Sequence, residues 1–149
     1  MANLRFEQRI AAPPALVAAF FVPQRMPYWY GPEMHAEFTI LGGAADFAEG
    51  QKIRITGKIR AREVSLTVVV TEFEFGRLLE WRFQDTYGVI GMQSWEIEPQ
   101  GDATLVRMRD TYEMPGGFGR FFDWLFARHA VARRDHDWLE RLQRLAERR

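Results

Sequence analysis

The chain has 149 residues with 20 basic and 20 acidic side chains, so its formal net charge is zero. This length fits one domain, residues 1–149, whose core needs no disulfide or structural metal. The absence of cysteine excludes disulfides, thiolate zinc sites and a cysteine nucleophile. Balanced charge gives no field that would attract nucleic acid or an anionic membrane, so neither is an expected partner.

No segment approaches the ~20 consecutive apolar residues of a membrane-spanning helix, so we expect no membrane insertion. The apolar stretch 15–22 follows two arginines in the manner of a signal peptide. However, Glu7 and the Pro13-Pro14 pair interrupt that pattern. We therefore predict a cytoplasmic protein.

The first predicted elements are a strand and two short helices. Residues 4–10 alternate between apolar and polar side chains, which is the period of a strand. Pro13-Pro14 opens a helix over residues 15–21, because proline suits the first helical turn. A second short helical piece, residues 25–30, ends at Gly31-Pro32.

Six further strands follow at a spacing of about ten residues. They are predicted over residues 34–40, 53–59, 64–73, 79–83, 87–98 and 104–112. Consecutive short strands with glycine-containing turns between them indicate an antiparallel meander.

Residues 118–149 change to a helical period. The predicted apolar face contains Phe121, Leu125, Ala132, Leu139, Leu142 and Leu145. The opposite, solvent-facing side carries Arg134, Asp137, Arg141, Arg144 and Arg148. Trp124 and Trp138 lie beside the apolar face, and if exposed they would offer a surface for a homodimer.

Three local motifs agree with a known arrangement. They are FEQRIAAPPALVAAFF, which is followed by Trp29, then VVVTEFEFGRLLEW, and finally GDATLVRMR. With the element order, they make the chain resemble the START/Bet v 1-like (SRPBCC) superfamily, including polyketide cyclase/dehydrase-like and Hsp90-activator-like proteins. The Hsp90-activator branch usually has a tighter Gly-Gly-aromatic turn than the Gly42-Gly43-Ala44 found here.

The resemblance implies an α+β helix-grip fold. In it, a curved antiparallel sheet of about seven strands wraps around a long C-terminal helix, with two short helices after the first strand. It also implies an apolar cavity between sheet and helix. The predicted ligand-binding side chains are Trp81, Phe83, Gln93, Trp95, Met108, Asp110, Tyr112, Phe118, Leu125 and Arg128.

Strand alternation places several small or polar residues on the inward face. Gly91, Gln93, Asp110 and Tyr112 interrupt otherwise apolar rows, which favours a cavity with a few fixed polar contacts. A filled core is the alternative, since apolar rows usually form the core. The glycine-containing segment 115–119 is predicted to form a lip at the mouth of the cavity, with Phe118 as an apolar plug.

Two charged residues fall on the predicted apolar face of the terminal helix. A charge at Arg128 or Asp135 is costly there unless it is paired. Asp110 or Tyr112 is a candidate partner for Arg128. An arginine in this position would alternatively hold a ligand carboxylate or phenolate. The two charges can also be explained without a ligand, by an internal ion pair or by a helix end that emerges into solvent.

The histidines do not form a metal site in this interpretation. His129 and His136 lie seven residues apart, ~10 Å along a helix, so one ion cannot bind both directly. His35 lies on the outward face of its strand. We therefore expect no metal and no cofactor, and His129 remains a candidate general base.

Three functions are compatible with the sequence. The leading one is non-covalent binding of a small hydrophobic or aromatic ligand, such as a lipid, polyketide or isoprenoid. The second is a cyclase or dehydratase in which Asp110, Tyr112 or His129 transfers protons and Arg128 assists. The third is an interaction module similar to Hsp90 activators, which a filled core would favour.

Overall fold

The computed structural model of the protein describes residues 2–59, 61–114 and 128–148, with the backbone alone at residues 59 and 128. The strands are β1 (Ala2–Ile10), β2 (Glu37–Ile40), β3 (Lys52–Ile59), β4 (Arg62–Glu74), β5 (Leu78–Asp85), β6 (Ile90–Gln100) and β7 (Ala103–Glu113). The α-helices are α1 (Pro14–Ala18) and α2 (Arg128–Glu147), and two 3-10 helices span Met26–Tyr28 and Pro32–Met34.

The seven strands form one antiparallel sheet in the order β1-β7-β6-β5-β4-β3-β2. Strands β2 to β7 follow one another as a meander, and β1 joins the far edge by pairing with β7 from Ala2↔Tyr112 to Ile10↔Thr104. Strand β4 contains a register shift between Val70 and Glu72, which is typical of a bulge that bends a sheet. The predicted helix-grip fold is therefore confirmed.

Helix α2 packs on the sheet and is tied to it at several points. Its 20 residues span about 30 Å at 1.5 Å per residue. Near its end, Gln8 Nε2 donates to Gln143 Oε1 over 2.5 Å, and the backbone N–H of Ala11 donates to Glu147 Oε1 over 2.8 Å. Residues 118–127, which the sequence assigned to the same helix, lie outside the described residues.

The buried face of α2 includes Leu139 and Leu142, as predicted, while Ala132 and Leu145 are partly buried against the core. This face also contains Asp135, Trp138 and Ala146. Trp138 is 3% accessible, so it offers no surface for the homodimer that was considered. It extends the buried face of α2 beyond the predicted row.

The segment before β2 is also different. Met34 was predicted to begin a strand, but it ends the 3-10 helix Pro32–Met34, and β2 starts at Glu37. The turn is flanked by Gly31 with φ 71° and His35 with φ 52°, both in the left-handed region that no strand contains. Met34 is nevertheless buried and His35 is exposed, as the alternation had indicated.

An aromatic cluster fills the inner face of the sheet beside α1. Trp95 lies 5.0 Å from Trp81, 5.9 Å from Trp29 and 5.8 Å from Tyr30, measured between ring centroids. These edge-to-face contacts place positive ring edges against negative ring faces. Most of the chain's tryptophan is therefore used for packing, and the cavity described below lies at one side of this cluster.

No helix within the three described stretches is long and apolar enough to cross a membrane.

Candidate functional site

A cavity of about 370 Å³ lies between the sheet and α2, and we call it the sheet–helix cavity. Its walls come from the 3-10 turn at Met34, four strands and the first half of α2. They are formed by Tyr30, Met34, Val64, Leu66, Phe83, Asp85, Tyr87, Val89, Gln93, Asp110, Tyr112, Met114, Val131, Arg134 and Trp138. Its volume lies within the ~300–1,000 Å³ typical of small-molecule sites.

Gln93 on β6 organises the polar end of the cavity. Its Oε1 accepts hydrogen bonds from Tyr30 Oη at 2.7 Å and from the indole Nε1 of Trp81 at 3.0 Å. An indole N–H can only donate, so the oxygen of the Gln93 amide must face Trp81. The amide nitrogen therefore faces Asp110 and donates to its Oδ2 over 3.4 Å.

Arg134 on α2 joins the helix to this network. Its Nη2 donates to Asp110 Oδ2 over 3.3 Å and to Asp135 Oδ1 over 3.2 Å. Oδ2 of Asp110 thus accepts from both Gln93 and Arg134, and the bond from the guanidinium is charge-assisted. Asp110 and Asp135 are both fully buried, whereas 37% of the Arg134 side chain is exposed.

Burial favours the protonated form of Asp135 in this cluster. Burial raises the pKa of Asp135 to about 9, and a hydrogen bond to the Asp110 carboxyl acts in the same direction, although Arg134 lowers it. Asp110 Oδ1 and Asp135 Oδ2 have no other hydrogen-bond partner among the described residues. A proton on Asp135 supplies the missing donor between the two carboxyls. With Arg134 charged, the cluster is then neutral overall.

Tyr30 and Trp138 pack against each other, and Trp138 also contacts the Arg134 guanidinium. Burial raises the pKa of Tyr30 well above its usual value, so its hydroxyl stays protonated and donates to Gln93. The Trp138 ring lies 4.3 Å from the Tyr30 ring and 4.6 Å from the guanidinium carbon of Arg134. The indole N–H of Trp138 donates to Glu33 at 3.1 and 3.2 Å, which holds the 3-10 turn against α2.

The structure places the ten predicted ligand-binding residues in different environments. Phe83, Gln93, Asp110 and Tyr112 line the cavity. Trp81 lies behind Gln93, while Trp95 and Met108 belong to the buried core and do not line the cavity. Phe118, Leu125 and the 115–119 segment lie outside the described residues, as does the side chain of Arg128. His129 is exposed and does not line the cavity.

Two expectations about this site need correction. Arg134 was assigned to the solvent-facing side of the helix, but it pairs with Asp110. Gly91 was expected to enlarge the cavity. Instead, a Cβ there would clash with the backbone oxygen of Thr111 and lie 2.8 Å from Tyr112 Cα, so the glycine permits close packing of β6 on β7.

The sequence reading missed Tyr30, Arg134 and Trp138. Tyr30 lies in an irregular segment, where no periodicity indicates which side chains point inward. A signal for the other two did exist: Val131, Asp135, Trp138 and Leu142 follow the three- and four-residue spacing of a helix face. Phasing the helix on that row would have put Arg134 at its edge.

A small group of potential metal ligands lies on the outside of α2. Ligand atoms of His136, Asp137 and Glu140 are within 4.8 Å of one another. His136 Nε2 lies 3.7 Å from Glu140 Oε1 and Nδ1 lies 3.9 Å from Asp137 Oδ1. These side chains are about half exposed, so solvated ion pairing along the helix accounts for them.

An antiparallel sheet that wraps a terminal helix and encloses a cavity beneath it defines the START/Bet v 1-like class of proteins. The chain belongs to the family described as polyketide cyclase/dehydrase and lipid transport, whose model matches residues 1–147. No curated protein matches the chain.

Solved structures with the same fold cover almost the whole chain. DynU16, from the dynemicin biosynthetic locus, has a TM-score of 0.72 at 17% identity over 97% of this chain and 47% of its own, so the chain spans about half the length of that protein. CV1439 from Chromobacterium violaceum has a TM-score of 0.72 at 15% identity, over 99% of this chain and 98% of its own. A protein from Rhizobium leguminosarum has a TM-score of 0.75 at 14% identity, over 99% of this chain and 95% of its own. Identities this low show a shared fold.

Proposed function

We propose that the protein binds a small, largely apolar or aromatic molecule in the sheet–helix cavity. The observation that carries this proposal is a cavity of about 370 Å³ with mostly apolar walls and one polar end, where Asp110 and Gln93 are buried. Apolar walls provide the affinity in such sites, and a few fixed polar groups orient the ligand. The family description, which names polyketide cyclases and lipid transport, supports the same interpretation.

The size of the cavity restricts the ligand. Its volume is near the lower end of the ~300–1,000 Å³ range of small-molecule sites. A compact ligand, such as a few fused rings or a short isoprenoid, fits this space better than a lipid with two long chains.

A cyclase or dehydratase is the second candidate, and a specific observation favours it. Asp110 and Asp135 form a carboxyl pair with one proton beside the Arg134 guanidinium, at the end of the cavity. Such a pair offers both a proton donor and an acceptor, and the arginine would stabilise a developing enolate oxygen. Tyr112 also lines the cavity, whereas the exposed position of His129 gives no support to its role as the base.

The third alternative, an interaction module without a ligand, is less well supported. A filled core between sheet and helix would have favoured it. The described residues instead enclose a cavity in that place, which favours ligand binding.

Native mass spectrometry of protein purified from its own host tests the binding function. We expect a retained small molecule at one copy per chain, which extraction would identify. The Val131→Phe variant adds a ring to the cavity wall and should be purified without a bound ligand. Ala130→Phe adds the same ring at the exposed neighbouring position and should retain the ligand. Ligand-free wild-type protein that also ignores a library of lipids and aromatics would contradict the proposal.

Turnover separates the two candidates. The captured ligand is incubated with wild-type protein and with Asp110→Asn, and the products are followed by mass spectrometry. An unchanged ligand supports binding. Conversion that Asp110→Asn abolishes would support the cyclase or dehydratase instead.

A further inference from the structure

We propose that the ligand of the sheet–helix cavity is an uncharged molecule that donates a hydrogen bond from a hydroxyl group to Asp110. The cavity would therefore discriminate against carboxylates and amines of the same size. This inference rests on the proposed ligand-binding function and names the chemistry of the ligand's polar end.

Asp110 has unused capacity to accept hydrogen bonds. A carboxylate offers about four lone-pair sites. Gln93 Nε2 and Arg134 Nη2 both use Oδ2, and the Asp135 carboxyl takes a third site. Among the described residues, one site remains without a donor, on a carboxylate that is fully buried and lines the cavity. An unmet buried acceptor is unfavourable, so a ligand that brings a donor gains affinity there.

An anionic ligand is disfavoured at this end of the cavity. Its charge would lie beside Asp110, in a place where little water is available for screening. The charge of Arg134 is already matched by Asp110, with Nη2 and Oδ2 3.3 Å apart, so a second anion would be uncompensated unless Asp110 took up a proton. A fatty acid or aromatic acid would therefore lose the interaction that a neutral hydroxyl gains.

A cationic ligand is disfavoured for the opposite reason. An ammonium group on Asp110 would lie next to the Arg134 guanidinium, which is bonded to the same carboxylate. The other carboxylate on the wall, Asp85, already accepts from the backbone N–H groups of Tyr87 and Val89 at 2.8 and 2.9 Å. With Asp135 protonated, the polar cluster is neutral, so neither sign of ligand charge is compensated.

Four naphthalenes with one ring system and different substituents test the inference at pH 7 by isothermal titration calorimetry. They are 2-naphthol, 2-methylnaphthalene, 2-naphthoate and 2-(aminomethyl)naphthalene. We expect 2-naphthol to bind about tenfold more tightly than 2-methylnaphthalene, which is the usual effect of one hydrogen bond to a charged group. Both ions should bind more weakly than 2-naphthol by at least the same factor.

The Asp110→Asn variant identifies the acceptor. Gln93 and Arg134 would hold the oxygen of the new amide, so an NH₂ group, which cannot accept a hydrogen bond, would replace Oδ1. The advantage of 2-naphthol over 2-methylnaphthalene should then disappear, whereas the exposed Asp137→Asn on α2 should preserve it. If Asp110→Asn does not fold, the ranking of the four probes on the wild-type protein decides alone.

The outcomes separate this inference from the function on which it rests. Equal binding of 2-naphthol and 2-methylnaphthalene, or tighter binding of either ion, would overturn the hydroxyl preference and leave ligand binding intact. Failure of all four probes, together with a ligand-free native mass spectrum, would overturn both.

Discussion

Asp110 on β7 and Arg134 on α2 form an ion pair, with Oδ2 and Nη2 3.3 Å apart, that joins the sheet to the C-terminal helix beside the cavity. The pair is asymmetric: Asp110 is fully buried and the Arg134 side chain is 37% exposed. The arginine can therefore be solvated without its partner, whereas the aspartate cannot. The stability of the site depends on keeping a donor next to Asp110.

Arg134→Met should destabilise the protein. Removing the guanidinium leaves Asp110 with Gln93 and Asp135 as its donors. Breaking a fully buried pair costs about 3–5 kcal/mol, and we expect about 2 kcal/mol here because Arg134 is partly exposed. Urea unfolding measures the loss. Arg133→Met, at the exposed neighbouring position, is the control and should change stability little. A variant as stable as wild type would show that the pair contributes nothing.

Asp135 should make the folding stability of the protein decrease as the pH rises. Its pKa rises from an ordinary 3.8 to about 9 because the carboxyl is buried. Between those values the folded state holds a proton that the unfolded state has lost. The stability that this side chain contributes is therefore greatest below pH 4 and falls as the pH rises towards 9.

Asp135→Asn should remove that dependence, because the amide is neutral in both states. The melting temperature of the variant relative to wild type should increase between pH 5 and pH 8. Asp102→Asn, at an exposed position in the turn between β6 and β7, should show a constant difference. A parallel pair of curves for Asp135→Asn and wild type would mean that Asp135 is ionised in the folded protein.

Tyr30→Phe should weaken the polar network without opening a cavity. The hydroxyl donates to Gln93 Oε1 over 2.7 Å in a fully buried site, and Trp81 remains as the second donor. We expect a loss of about 1 kcal/mol in the free energy of unfolding, which is the net contribution of one hydrogen bond. Tyr28→Phe, whose ring is 59% exposed, should have no measurable effect. Equal losses in the two variants would contradict the assigned role of Tyr30.

Gly91→Ala should destabilise the sheet. The added Cβ would clash with the backbone oxygen of Thr111 and lie 2.9 Å from the Phe83 ring, and paired strands on both sides prevent the backbone from moving away. Overpacking of this kind costs about 1–3 kcal/mol. Glu96→Ala, exposed on the same strand, is the control. A stable Gly91→Ala variant would show that β6 and β7 can separate locally.

Much of the fold was predictable because its signals are local. Alternation along β5, β6 and β7 identified Phe83, Gln93 and Asp110 as inward-facing, and each is buried. The two-residue period of a strand fixes the side of every side chain once one is known. On the helix, Asp135, Leu139 and Leu142 lie on the predicted face and are buried, whereas Trp138 and Arg134 lie at the edge of that face, where periodicity alone does not decide burial.

The interactions at the site were less predictable, because they join residues far apart in the chain. Gln93 connects Tyr30 to Asp110, and Arg134 connects Asp110 to Asp135. The sequence can place Arg134 at the edge of the buried face of α2, but it does not indicate which side chain lies opposite. Only the position of β7 under α2 turns that arginine into a partner of a buried carboxylate.

The sequence by itself determined the order of strands and helices, the inward rows of the sheet and the presence of buried polar groups among them. These properties follow from periodicity and turn residues, which act over a few residues. Packing of the helix on the sheet brings Arg134 to Asp110, sets the two carboxyls side by side and determines which described side chains enclose the cavity. Those outcomes depend on distances of about 3 Å between elements, and such distances are set only when the helix and sheet pack together.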